Sequence, residues 1–241
     1  MRSARPEGTA TRCRLVGRGP FYGRLPVGLL DRLSAKKTDG AAPMRSVPNS
    51  PSNVFRTKAL RKFLTSLTAR ESPVLLDLGP VVGPNVSFFG EQLGCKILVE
   101  GVFAEIDRHA REDRLEALPL FLEKRFSQAD GSVDGILCWD LIDYLGRPAA
   151  HALVAQLRRV LRPDGALFAL FNSAQPSGLA RYTKYIVVDE SNLLYQPYDA
   201  VRGRQPNLPN RDIIRLFAGL DVADSFLLQN NVREILFRKP A

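Results

Sequence analysis

The sequence is poor in the residues that build metal and disulfide sites. Three cysteines (Cys13, Cys95, Cys138) are odd in number and far apart, and they lie outside any CxxC or Cys/His ligand spacing. That pattern indicates neither a disulfide framework nor a zinc site, and a reducing cytoplasm is the expected compartment. Only two histidines, His109 and His151, occur in 241 residues, so nothing supports a histidine-based metal centre or a Ser-His-Asp triad. His109 reads as a lone surface histidine. No apolar run approaches the roughly 20 residues of a membrane span, and Phe21 to Leu33 is broken by Arg24, Pro26 and Asp31, which spoils it as a signal-peptide core. No internal repeat is visible.

Acidic residues are scarce in one region only. The net charge is +9, yet residues 1–50 hold ten Lys/Arg against Glu7, Asp31 and Asp39, so +7 of it lies there and +2 in the rest. The basicity is therefore no argument that the folded part binds nucleic acid. Arg, Gly, Pro and Ser dominate residues 1–50 without sustained periodicity, which predicts a disordered basic arm. Met44 opens MRSVPNSPSNVF just ahead of the first periodic segment and is an alternative start. Residues 51–241 are expected to form one domain with a full core.

The segment VLLDLGPVVGPNVSFFGEQLGCKILVE (74–100) carries most of the functional information. Val74-Leu75-Leu76 is an apolar run too short for a helix, preceded by Pro73 and closed by Asp77 and Gly79, as in a buried parallel strand. Gly79 and Gly83 allow positive φ or close approach of a ligand, and Pro84 suits the first turn of a helix. Gly94 reads as the residue after the helix, and Cys95 to Val99 as a second strand ending at Glu100. An acid about 20 positions beyond a glycine turn is where a βαβ nucleoside site holds ribose hydroxyls; a solvated strand-end Glu is the alternative.

Elsewhere, Phe55 to Leu67 has helical periodicity with Ser52 or Asn53 as N-cap, and Phe103 to Leu118 is a charged helix. Leu118 to Leu122 is expected to be a third strand. Val133 to Asp140 reads as a fourth, with Asp140 at its carboxyl tip. Pro148 starts a helix stopped by Arg162-Pro163-Asp164-Gly165, and Ala166 to Phe171 is strand five. The polar stretch 172–210, with four tyrosines and Arg181, Arg202 and Arg204, is long for a connection. It is expected either to cover a pocket or to form a solvated hairpin. A helix near Asp212 to Phe217 and a hairpin turning at Asn230-Asn231 close the chain.

Four of these segments, in order, resemble the class I S-adenosylmethionine-dependent methyltransferase family over roughly residues 53–241. VLLDLGPVVG (74–83) is similar to its first motif, ILVE to its second strand, ADGSVDGILCWDLIDYL (129–145) to its fourth-strand region in small-molecule enzymes, and LRRVLRPDGALFALF (157–171) to its fifth. The resemblance implies a Rossmann-like, doubly wound α/β fold: a mostly parallel seven-stranded sheet with a C-terminal antiparallel β-hairpin. It implies S-adenosylmethionine as cofactor, held by Asp77, Gly79, Pro80, Gly83, Glu100 and Trp139, with Glu123 a loose candidate for the adenine edge. It also implies methyl transfer to a small-molecule acceptor; Asp140, Asp143 and Tyr144, just after strand four, are the candidates to orient or deprotonate it, Asp140 first. For Asp143 and Tyr144 the sequence itself favours a solvated helix start, and for Trp139 core or pocket wall. Val81 departs from the family by replacing the middle glycine. Either the turn keeps negative φ there, or the cofactor pocket is altered or lost. The alternative function is accordingly a methyltransferase-like protein that binds a ligand or partner without catalysis. A nicotinamide-dependent oxidoreductase fits less well, because the turn is not GxGxxG, and nucleic-acid modification less still.

Overall fold

The computed structural model describes residues 53–175 and 178–241. The expected basic arm, Met44, Cys13 and Ser52 lie outside them. Nine strands are described: β1 (Val54–Arg56), β2 (Val74–Asp77), β3 (Lys96–Val99), β4 (Val133–Trp139), β5 (Leu161–Asn172), β6 (Arg181–Asp189), β7 (Asn192–Asp199), β8 (Asp221–Leu227) and β9 (Val232–Arg238). The helices are α1 (Leu60–Thr68), α2 (Gly83–Val86, continuing as a π-helical turn over Ser87–Gln92), α3 (Val102–Arg111), α4 (Leu118–Arg125), α5 (Arg147–Val160) and α6 (Asn210–Leu216). No helix among the described residues is long and apolar enough to cross a membrane.

The main sheet runs β3-β2-β4-β5-β9-β8, with β3, β2, β4 and β5 mutually parallel and β9 and β8 antiparallel. It therefore has six strands, not the seven expected. The missing one is Leu118 to Leu122, which is the start of α4. A five-residue apolar run does not distinguish a strand from a buried helix turn, and Pro119 at its head favours the helix. Residues 55–67 also split: Val54–Arg56 is a strand and the helix begins only at Leu60. The N-terminus of α1 is closed from a distance. Glu234 of β9, fully buried, accepts the amides of Lys58 (2.7 Å) and Ala59 (3.0 Å), placing negative charge where the helix dipole favours it.

Helices cover both faces, as the nearly continuous apolar runs of β2, β4 and β5 require. One core layer joins α3, α4 and α5 to Leu76, Ile136, Cys138 and Leu167. The other joins α1 and Phe89 to Leu75, Leu137, Trp139 and Phe168. Alternation along β4 sends its residues to the two layers in turn. Gly135 faces α1, whose Phe63 and Leu67 sit against the strand.

A separate three-stranded sheet, β1-β7-β6, is made by the 172–210 stretch together with β1. It is a hairpin but not a solvated one, because Tyr182, Tyr185, Val187 and Leu193 are buried. Asn85, at the first turn of α2, fixes it to the main body: its amide donates to the Tyr185 carbonyl (2.8 Å) and its side-chain oxygen accepts the Val187 amide (2.8 Å). One side chain thus stands in for a neighbouring strand on the edge of β6.

A Cβ at Gly135 would lie 2.5 Å from Leu67 Cδ2 and 3.0 Å from Phe63 Cζ, both in a packed layer, whereas a Cβ at Gly83 meets nothing within 4 Å. Gly135→Ala is therefore expected to destabilise by about 1–3 kcal/mol and Gly83→Ala by less than about 0.5 kcal/mol, as read from urea denaturation midpoints.

Candidate functional site

The carboxyl ends of β2, β3 and β4 bring Asp77, Glu100, Trp139 and Asp140 to one edge of the sheet, and the turn between β2 and α2 carries Gly79, Pro80 and Gly83 past them. Asp77 closes β2, and its Oδ1 accepts the Gly79 amide (2.8 Å) and the Trp139 indole N–H (2.7 Å). The Glu100 amide donates to the Asp77 carbonyl (2.8 Å), which sets the two acids side by side at adjacent strand ends. Asp140 follows Trp139 directly, and a 3-10 turn over Leu141–Tyr144 carries Asp143 and Tyr144.

The glycine turn makes no use of left-handed backbone. Gly79, Val81 and Gly83 all lie outside the positive-φ region, and the Val81 side chain is 74% exposed. Val81 therefore keeps a backbone that a β-branched residue adopts readily, with its methyls turned to solvent. Left-handed geometry appears instead at Trp139 (φ +50°), next to a register shift between β4 and β5. For a bulky residue that conformation costs about 1–3 kcal/mol unless its surroundings impose it. Here the kink lays the indole across the turn: a Cβ at Gly79 would sit 2.9 Å from Trp139 Nε1. Glycine is needed at 79 for that contact.

Tyr185 of the hairpin then stacks on Trp139, with ring centroids 5.2 Å apart and planes 8° from parallel. Its phenol is close enough to oppose part of the rise of the Asp140 carboxyl, whose Oδ1 has no partner although the residue is only 1% exposed. Burial pushes the Asp140 carboxyl up to about 7, reinforced by the Asp143 charge and opposed by the Tyr185 phenol. Burial likewise raises Asp143 to about 6 against the Asn172 hydrogen bonds, and Asp77 to about 6 against those from Trp139 and Gly79. Glu100 is not a free strand-end acid. Arg125 of α4 reaches its Oε2 (2.7 Å), and Gln128 donates to its Oε1 (2.7 Å).

Several expectations change here. Asp143 and Tyr144 do not start a solvated helix; both are buried. Asp143 Oδ2 accepts both the backbone and side-chain N–H groups of Asn172 (2.8 Å each), and the Tyr144 hydroxyl donates to the Arg181 carbonyl (2.7 Å), which anchors the hairpin. His109 is not on the surface either. It is buried against Phe121, with its Nδ1 2.8 Å from the Glu105 carbonyl. Glu123 is exposed on α4. Sequence reasoning missed Asn85, Arg125, Gln128 and Tyr185, whose contacts join residues 25 to 102 positions apart in the chain. Only Tyr185 carried a signal, as an aromatic in a polar stretch.

The frame suits a nucleoside-bearing cofactor such as S-adenosylmethionine. Two acids stand at adjacent parallel strand ends, Gly83 and Gly101 meet nothing within 4 Å where a Cβ would be, and Asp140 holds an unpaired buried oxygen. The filling does not suit it in this conformation, because Trp139 lies against Gly79 with Tyr185 stacked on it and both Glu100 oxygens are engaged.

No family model matches the chain, and no curated protein matches it. Solved structures are similar to it. The 1,6-didemethyltoxoflavin-N1-methyltransferase of Burkholderia thailandensis, with 1,6-didemethyltoxoflavin and S-adenosylhomocysteine bound, is 18% identical over 76% of this chain and 79% of its own, with a TM-score of 0.46. A SAM-dependent methyltransferase from Aquifex aeolicus is 17% identical over 74% and 88%, TM-score 0.43. A Haloferax volcanii putative methyltransferase–Trm112 activator complex gives 13% identity over 75% and 88%, TM-score 0.48. At these identities and scores the likenesses carry no argument about what the chain does.

The raised carboxyls make stability fall as pH rises. Between about pH 4 and 7 the folded chain keeps protons on Asp77, Asp140 and Asp143 that the unfolded chain releases, so each step up in pH favours unfolding. Melting temperature should be highest near pH 5 and decline toward pH 8. Asp140→Asn, which keeps the size of the side chain and removes its charge, should flatten that decline and be more stable than the parent at pH 8 by about 2 kcal/mol, as seen in calorimetric scans at both pH values.

Proposed function

We propose that the chain is an S-adenosylmethionine-dependent methyltransferase acting on a small-molecule acceptor, with its cofactor crevice closed in this conformation by Trp139 and Tyr185. The observation that supports it best is the pairing of Asp77 and Glu100 at the ends of adjacent parallel strands, on either side of the Gly79–Gly83 turn into α2. In that reading Asp77, Gly79, Pro80 and Gly83 hold the cofactor's amino-acid end and Glu100 its ribose hydroxyls. Trp139 becomes a wall once it leaves Asp77. When bound, the cofactor supplies a methyl already activated on a sulfonium. The chain's part is to align the acceptor, exclude water and manage a proton.

Asp140 is the residue for that last task. Its carboxyl titrates near 7, its Oδ1 is unpaired and buried, and it follows the residue at the end of β4. Ionised, Oδ1 accepts a proton from an acceptor hydroxyl or amine as the nucleophile attacks. Tyr144 is engaged with Arg181 and its hydroxyl pKa is pushed far up by burial, so its contribution is to hold the hairpin in place.

A second reading, a methyltransferase-like protein that binds a ligand or partner without catalysis, draws on the same geometry. Glu100 already satisfied by Arg125 and Gln128, and the aromatic pair above Gly79, are what a crevice converted to core would show.

Calorimetric titration of the full chain with S-adenosylmethionine and S-adenosylhomocysteine separates the two. The methyltransferase reading expects binding that Asp77→Ala and Glu100→Ala each weaken by about tenfold or more. Absence of heat from protein that melts cooperatively would favour the non-catalytic reading.

A further inference from the structure

A cleft of about 500 Å³ lies between α3 and the segment that follows β7. Its walls divide by chemistry. Ala110, Leu115, Leu179 and Val201 supply apolar surface, and Arg202 and Arg204, one on each side of Gly203, supply positive charge. Both arginines are partly buried. Neither forms an ion pair among the described residues; Arg202 makes no hydrogen bond there, and Arg204 makes only a long one, 3.4 Å to the Ala174 carbonyl. Two partly buried arginines without anionic partners in one concave site are free to take an oxyanion.

Nearby carboxylates do not fill that role. Asp107 Oδ1 is taken by the Tyr182 hydroxyl (2.8 Å) and the Val201 amide (3.0 Å), and its Oδ2 faces Arg111 at 3.8 Å. Asp143 Oδ2 is taken by Asn172. The Arg204 charge opposes a small part of the rise of the Asp140 and Asp143 carboxyls, but it forms no ion pair with either. The same contacts hold the cleft segment in place: the Val201 amide is fixed to α3 and the Gln205 amide donates to the Asp143 carbonyl (2.6 Å). The arginines are therefore carried on a tethered segment that runs from α3 to the turn bearing Asp140 and Asp143.

We propose that this cleft binds a small organic oxyanion, a carboxylate or phosphate monoester on an apolar body, with Arg202 and Arg204 on the oxyanion and Leu115, Leu179 and Val201 on the body. The binding stands on this cleft alone. That the ligand is the methyl acceptor, delivered beside Asp140, rests on the function proposed above. A planar guanidinium matches the paired oxygens of either group, and the apolar wall selects against inorganic ions.

The test is calorimetric titration of the full chain at low salt, without cofactor, using benzoate, phenyl phosphate and neutral benzamide. Benzoate or phenyl phosphate, whichever oxyanion the site takes, should bind at least about tenfold tighter than benzamide, and added salt should weaken it. Arg202→Gln with Arg204→Gln should abolish the preference. Leu179→Glu, on a residue 64% exposed at the rim, should reduce anion binding without lowering the melting temperature, which keeps the test decisive if the double variant folds poorly. Equal binding of benzamide, no binding of either anion, or unchanged anion binding in Leu179→Glu would overturn the proposal. Anion binding by a protein that ignores S-adenosylmethionine would overturn the methyltransferase reading and leave this site standing; cofactor binding without anion binding would do the reverse.

Discussion

The buried Asp77 carboxylate is the joint on which the carboxyl edge of the sheet depends. One oxygen accepts the Gly79 amide, which sets the turn, and the Trp139 indole, which ties the end of β2 to the end of β4 across a strained, left-handed residue. Burial raises its pKa to about 6, so near neutrality the ionised form holds these two donors at a cost in desolvation. The cost is concentrated where the neighbouring strand contributes Glu100 and the next contributes Asp140. Three acids at three adjacent strand ends is an arrangement that a core selected only for stability does not require.

The hairpin covers that edge. Asn85 grips the backbone of β6, Tyr144 holds Arg181, and the two contacts deliver Tyr185 onto Trp139. Each of these is a polar contact of ordinary strength, worth about 1 kcal/mol net. A ligand with micromolar affinity, about 8 kcal/mol, has enough binding energy to displace several of them. Closure of this kind is compatible with a site that opens on binding, and it explains how one geometry serves both functional readings.

The parts legible in the sequence were those set by neighbours along the chain. The run 74–100 announced strand, turn, helix and strand because Pro73, Asp77, Gly79, Pro84 and Gly94 punctuate it, and Gly94 does take positive φ (+67°). Asn231 does the same (+59°) in the final turn. Leu118 to Leu122 is a short apolar run whose period is ambiguous, so the sheet expected from it has one strand more than the six described. His109 was misplaced because the charged residues around it hide a helix face that packs on Phe121. The candidate acids were found, but their partners were not: Asn85 and Tyr185 are 100 positions apart, and Arg125 and Gln128 sit 25 and 28 positions from Glu100. No local pattern encodes such pairings.

Trp139 is the chain's single tryptophan, which makes the central claim directly observable. Its indole is buried, hydrogen-bonded to Asp77 and stacked on Tyr185. In the proposed function, this one ring occupies the space a cofactor would need. Intrinsic fluorescence of the full chain during titration with S-adenosylhomocysteine, run alongside calorimetry, tests it. A saturable shift of the emission maximum to longer wavelength at the calorimetric midpoint is the predicted result. Calorimetric binding with no change in Trp139 emission would contradict it, since the ligand would then be binding elsewhere.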